Sequence, residues 1–186
     1  VSRAVAISAS AWSRSAAVAI SKSQLVSYMT WRALRWAKRA SSRWDVASVI
    51  VCEGQLDTIA CHLAGIENSV APQGTALTAD HARILKRYAE EVVLCFDSDT
   101  AGQQAALRSL DDLLASGLAI RVAVIPQPHD PDSFIRENGA ESFSKLIDDA
   151  PGFFDFLINY LCQIHDADSD RGRVNIVQAM RDAVQK

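Results

Sequence analysis

Three runs of strand length in this chain each end on carboxylates. Val49-Ile50-Val51-Cys52 leads into Glu53-Gly54-Gln55-Leu56-Asp57, and Val92-Val93-Leu94-Cys95-Phe96 leads into Asp97-Ser98-Asp99. Val122-Ala123-Val124-Ile125 leads, after a short turn, into Asp130-Pro131-Asp132. If the runs are neighbouring parallel strands, their acids meet at the C-terminal edge of one sheet, where open α/β sheets bind ligands. Hard oxygen donors gathered without histidine or thiolate suit Mg²⁺ or Mn²⁺. The chemistry indicated is metal-dependent work on phosphates. Each acid alone also has a plainer reading. Asp57, Asp99 and Asp132 suit helix N-caps, Asp-Pro starts turns, and Glu53 could simply face solvent. Asp97 fits none of these, because it follows five apolar residues directly and stands two before another acid. Like charges about 4 Å apart repel by roughly 4 kcal/mol at an effective dielectric of about 20. A cluster of such acids therefore needs a cation, or protons retained on some carboxyls.

The elements that must position these acids follow from the pattern around them. Strand 49–52 precedes a helix near 56–64, stopped at Gly65. Residues 68–71 form a short strand, 72–75 a turn, and Thr78 caps a helix near 79–89. Strand 92–96 precedes a helix near 101–115, capped by Asp99 or Thr100 and closed by Gly117. Strand 120–125 leads through Pro126-Gln127-Pro128 to a short helix near 133–137, capped by Asp132 and stopped by Asn138-Gly139. Helices near 141–149, 151–164 and 170–184 complete the chain. Four short strands alternating with helices predict an α/β fold with a mostly parallel four-stranded sheet and right-handed crossovers. The helical tail from about 140 reads as a subdomain or a packed appendage.

Composition divides the chain differently. Its 186 residues and 49% hydrophobic content suffice for one cored domain with an appendage. Residues 1–44 hold eight Lys/Arg, no acid and all four tryptophans. Residues 45–186 hold eleven Lys/Arg against twenty-two acids, a net −11. Trp31-Arg32-Ala33-Leu34-Arg35-Trp36-Ala37-Lys38-Arg39 has a short amphipathic spacing, while residues 1–24 read as low in order. The chain opens with Val, and we read it as a piece of something longer. No Cys-x-x-Cys pair occurs among Cys52, Cys61, Cys95 and Cys162. Cys52 and Cys95 read as buried thiols, Cys61-His62 has no second half for a zinc site, and a reducing cytoplasm is expected. No apolar run reaches the length of a membrane span.

Glu53-Gly54-x-x-Asp57 followed by Asp97-x-Asp99 after a strand resembles the Toprim signature of primases, topoisomerases and some nucleases. Gly74-Thr75-Ala76-Leu77-Thr78, Phe96-Asp97-Ser98-Asp99-Thr100-Ala101-Gly102 and His129-Asp130-Pro131-Asp132-Ser133-Phe134 are similar to the bacterial replicative, DnaG-type, primase family. The likeness runs from about 48 to 150 and more weakly to the end, where Gly172-Arg173-Val174 opens a helix. It implies a basic segment over 1–47, a Toprim catalytic domain over 48–140 and a helical subdomain of the primase core over 141–186. It also implies a DNA-directed RNA polymerase that makes short primers on single-stranded DNA from NTPs, in the bacterial cytoplasm. Asp97, Asp99 and Asp130 are then metal ligands, and Asp132 is a further ligand or a supporting acid. Glu53 is a ligand or the group that handles the hydroxyl proton, and Asp57 orients the site. Gly54, Gly74 and Thr75 would admit phosphates to the backbone, with Lys22 a nucleotide or template contact. A replicative helicase would be met through a C-terminal domain outside this sequence.

The sequence also departs from the family. Gln55-Leu56 stands where primases commonly carry an aromatic residue and Met. Upstream of residue 48 only Ile20-Ser21-Lys22-Ser23 echoes the family, and we expect a frame-shifted or misassembled stretch there. No zinc pattern appears, so no zinc is expected. Two other readings stay open: a Toprim nuclease or topoisomerase, and a catalytically incomplete metal- and nucleotide-binding module. For a topoisomerase, Tyr28, Tyr88 and Tyr160 lie in unsuitable contexts. His129 is read as an exposed loop residue. Arg83, Lys86 and Arg87 are read as a basic helical face that either touches nucleic acid or is solvated.

Overall fold

The computed structural model describes residues 48–72, 77–97 and 113–185, with Asp97 described by its backbone. Four parallel strands form one sheet in the order β2-β1-β3-β4. They are β1 (Ser48–Cys52), β2 (Ser69–Val70), β3 (Glu91–Asp97) and β4 (Ala119–Ile125). Val49 to Cys52 and Val92 to Phe96 are buried throughout, as expected of strands covered on both faces. Successive side chains of a strand point to opposite faces, so each strand supplies two cores. Val49, Val51, Val92, Leu94, Ile120 and Val122 line one face. Ile50, Cys52, Val93, Cys95, Ala123 and Ile125 line the other.

Helices cover both faces. On the first, α2 (Ala79–Leu85) contributes Ala82 and Leu85. The tail helices α4 (Phe153–Ile164) and α5 (Asp170–Val184) add Phe153, Phe156, Leu157, Tyr160 and Ile176 to that same core. On the second face α1 (Gln55–Leu63) contributes Cys61, and α3 (Pro131–Asp148) contributes Phe143 and Ile147. The expected parallel α/β sheet is thus present, and the helical tail shares the sheet's core.

Several boundaries differ from expectation. Helix α2 ends at Leu85 rather than 89, because Tyr88 and Ala89 bond back to the Leu85 carbonyl in a closing turn. The two helices expected near 133–137 and 141–149 are both present, run together in α3 from Pro131 to Asp148 and parted as expected at Gly139, where φ is +83°; only the start, at Pro131, differs. Asp132 is not its cap. Proline lacks an N–H and its fixed φ suits the first helical position, so the cap falls on the residue before it, Asp130. The stop signals Gly65 and Gly117 adopt φ of +86° and +72°, a region glycine enters without penalty. Residues 113–115 are helical. The rest of the helix expected near 101–115 lies outside the described residues.

Arg121 ties the tail to the sheet. Its guanidinium donates to the carbonyls of Ile147 (3.1 Å), Asp148 (3.0 Å) and Ala150 (3.5 Å) at the end of α3. It also pairs with Glu91 of β3 at 2.8 Å. At the tail's turn, Ser169 Oγ accepts the Gly172 N–H at 3.1 Å, capping α5. A Cβ on Gly172 would overlap the Asp166 carbonyl. Gly172→Ala should therefore cost about 1–3 kcal/mol, the usual penalty for overpacking, read as a lower denaturation midpoint at unchanged slope.

Candidate functional site

The order β2-β1-β3-β4 reverses direction between β1 and β3, with α1 on one face and α2 on the other. Such a switch point opens a crevice at the carboxyl ends of the two strands. Glu53 directly follows β1, and Asp97 is the last residue of β3. Cys52 is in register with Cys95, and Asp97 with Ile125 of β4. Asp97 therefore stands level with the position just past Glu53. Beyond Ile125 the chain turns and brings Asp130 and Asp132 to the start of α3. Helices α1 and α3 lie side by side over the second face.

The start of α1 shows why a glycine follows Glu53. The Gly54 N–H donates to Asp57 Oδ2 at 3.1 Å, and a Cβ on Gly54 would stand 2.8 Å from that oxygen. Asp57 thus holds the turn that carries Glu53, while Glu53 itself is exposed. Asp57 is half-buried. Burial pushes its carboxyl above the ordinary carboxylate range, the Gly54 N–H pulls it down, and the nearby Asp130 and Asp132 carboxylates push it up again. Acids from the end of β1 and from beyond β4 thus share one neighbourhood, where α1 packs beside α3 and the Asp132 N–H also acts on Asp57 to lower its pKa. Asp130 is exposed and shifted the opposite way, chiefly by the Ser133 hydroxyl and then the Ser133 amide. Its Oδ1 accepts from Ser133 Oγ at 2.6 Å and from Ser133 N at 2.7 Å. Half-buried Asp132 lies 3.6 Å from Arg136.

Asp57, Asp130 and Asp132 are thus brought together, with Glu53 and the end of β3 at the same sheet edge. Asp99, Gly74, Thr75, Lys22 and the Trp31–Arg39 stretch lie outside the described residues. Among the described residues, which include neither Asp99 nor the Asp97 carboxylate, no three His, Cys, Asp or Glu side chains close into a metal cage. The donors present still fit a hard cation: all are carboxylate oxygens, and the Asp130 and Asp132 charges disfavour the ionised form of Asp57. Cys61 is buried beside Cys52, whose thiol contact, together with burial, pushes the Cys61 thiol up, while His62 Nε2 sits 3.0 Å from the Ser69 carbonyl.

Other expectations are corrected or narrowed. His129 is half-buried, not an exposed loop residue: its ring meets the edge of Phe134 at a centroid distance of 5.9 Å and stands 4.0 Å from Glu137. On the basic face, Arg83 makes an exposed pair with Asp80 of its own helix at 2.9 Å, and Lys86 donates to the Gly117 carbonyl at 2.7 Å. Ser133 went unnoticed in the sequence; its position three residues after Asp130 is the capping-box spacing and was the available signal.

Two substitutions separate the structural from the chemical roles. Asp130→Ala loses the cap of α3 and should cost about 1 kcal/mol. Asp130→Ser keeps a cap oxygen and should stay near wild type in stability, while weakening any response to divalent cations. For Asp57 the folded pKa lies above the unfolded one. Its carboxylate therefore costs stability, and the cost grows as pH rises from the unfolded value of about 4 through the folded one. Asp57→Asn keeps an oxygen for the Gly54 amide. In chelator at neutral pH it should melt up to about 2 °C above wild type, a small rise because the group is partly solvent-screened. The difference should vanish towards pH 4 or so.

A family model described as Toprim-like matches residues 50–135. The DNA primase of Clostridium acetobutylicum is 48% identical over 112 residues, which cover 60% of this chain and 19% of that protein. The crystal structure of a DNA primase domain from Pseudomonas aeruginosa superposes with a TM-score of 0.71 at 29% identity, covering 82% of this chain and 47% of that one. A DnaG primase catalytic domain bound to single-stranded DNA superposes with a TM-score of 0.68 at 31% identity, covering 79% of this chain and 48% of that one. The chain thus spans about a fifth of the Clostridium protein and about half of each solved chain. Strand order, the acids at the β1–β3 switch point and these likenesses agree: the chain belongs to the DnaG-type family of bacterial DNA primases and carries a Toprim-like domain.

Proposed function

We propose that this chain catalyses template-directed synthesis of short RNA primers on single-stranded DNA, by nucleotidyl transfer from NTPs. The observation that carries the reading is the meeting of Asp57 with Asp130 and Asp132 beside the ends of β1 and β3. Support for the substrate comes from the related catalytic domain whose structure holds single-stranded DNA. In the reaction a 3′-hydroxyl attacks the α-phosphorus of an NTP and pyrophosphate leaves.

Asp97, Asp99 and Asp130 would hold divalent cations, with Asp132 as a further or supporting acid. Mg²⁺ is the ion we favour, with Mn²⁺ able to replace it. Such ions, when bound, favour ionisation of the attacking hydroxyl and neutralise charge on the phosphates. Glu53, exposed just past β1, would ligate a cation or take the hydroxyl proton. Asp57 holds the Gly54 turn and so fixes Glu53. Gly54, having no Cβ, leaves room for phosphate against the backbone, a role we extend to Gly74 and Thr75; Lys22 would contact nucleotide or template. We assign the Toprim domain to 48–140 and a helical subdomain to 141–186, with a replicative helicase as a further partner and the bacterial cytoplasm as the compartment.

The test is incubation with NTPs and single-stranded DNA in Mg²⁺ or Mn²⁺. RNA complementary to the template supports the reading. Cut DNA without RNA would assign a nuclease instead, and NTP binding without product would assign a catalytically incomplete binding module.

A further inference from the structure

Helix α1 carries its polar and apolar residues the unusual way round. Its inner face buries Thr58, Ala60 and Cys61, while Leu56, Ile59 and Leu63 are 74%, 51% and 85% exposed. The spacing i, i+3, i+7 sets these three in one line along the helix. A stripe of large apolar side chains turned to water on a helix is the form of a face that takes another segment. The neighbouring α3 leaves it open.

We propose that this stripe is the docking face for the Trp31–Arg39 segment of the same chain, which would make that stretch a working part of the protein and not the misassembled one the sequence suggests. The segment offers Trp31 and Leu34 at one-turn spacing, with Trp36 close by, and its charges are Arg32, Arg35, Lys38 and Arg39. It is basic, whereas residues 45–186 carry a net −11. A second copy of that acidic body would meet the stripe against charge repulsion; the basic segment meets it with attraction. Exposed Glu67, just past Leu63, extends the acidic character to the end of the stripe. Reach is sufficient. After β1, α1 runs back along the sheet, returning Leu63 toward the edge at which Ser48 enters. Trp36 and Ser48 are twelve positions apart; extended, that stretch spans up to about 40 Å, while α1 is only about 14 Å long.

The tryptophans make this directly readable. All four lie within residues 1–44, so the intrinsic tryptophan emission of the whole chain reports on that part alone. With the segment docked, emission is blue-shifted and poorly quenched by acrylamide. Ile59→Gln/Leu63→Gln, at exposed positions away from the acids, should shift emission to the red and raise quenching, with far-UV circular dichroism and cooperative melting retained. Leu34→Gln should reproduce the change from the other partner without touching α1. Wild-type emission equal to that in urea, or unmoved by either variant, would overturn the proposal. So would a blue shift that grows with protein concentration alongside dimer in sedimentation, since that assigns the stripe to a second copy.

Discussion

Asp97→Asn is expected to lower RNA synthesis by about 100-fold or more while leaving the melting temperature in chelator close to that of wild type. Even outer-shell partners of a bound metal cost about 10–100-fold when removed, and Asp97 stands at the centre of the switch point rather than at its rim. As the last residue of β3, opposite Ile125, it terminates the ladder. The substitution leaves the backbone pairing of β1, β3 and β4 untouched, so loss of activity with retained folding isolates the carboxylate. Single-turnover RNA synthesis on a fixed template checks this. A loss of less than about 10-fold would move Asp97 out of the ligand set.

Divalent cation is expected to stabilise the folded chain by roughly 2.7 kcal/mol at a hundredfold excess over its dissociation constant. In a chain of this size that amounts to a rise of about 5–11 °C in melting temperature. The physical cause is the crowding of Asp57, Asp130 and Asp132, which a cation relieves and the unfolded chain does not share. The shift should be large in wild type, reduced in Asp130→Ser and smallest in Asp97→Asn. It should also fade on acidification, as the carboxylates take up protons that compete with the cation. Monovalent salt at matched ionic strength should give far less, which separates site binding from general screening.

Much of this was legible in the residues themselves. The buried strands showed as continuous apolar runs because parallel strands covered on both faces need no polar side. Gly65 and Gly117 marked helix ends because only their positive φ closes those turns cheaply. The acids stood out because each followed a strand. What the sequence concealed was settled by packing or by competition between neighbours. Asp130 and Asp132 both suit a cap, and Pro131 between them decides for Asp130. The helical tail read equally as appendage or subdomain. Its Phe153, Phe156 and Leu157 join the core of the first sheet face, with their helix packed on β4, a contact between residues about 30 apart that no local pattern encodes. Arg121 interrupts an apolar strand, and only the fold shows that three carbonyls and Glu91 meet it there.

The central claim is that acids from three strand ends form one cation site, and counting bound Mn²⁺ tests it most directly. Electron paramagnetic resonance of free Mn²⁺, titrated with the intact chain, gives the number and affinity of bound ions. Saturable binding that is lost in Asp97→Asn and weakened in Asp130→Ser is the predicted result. Equal binding by wild type and Asp97→Asn, or no binding with or without NTP, would contradict the account.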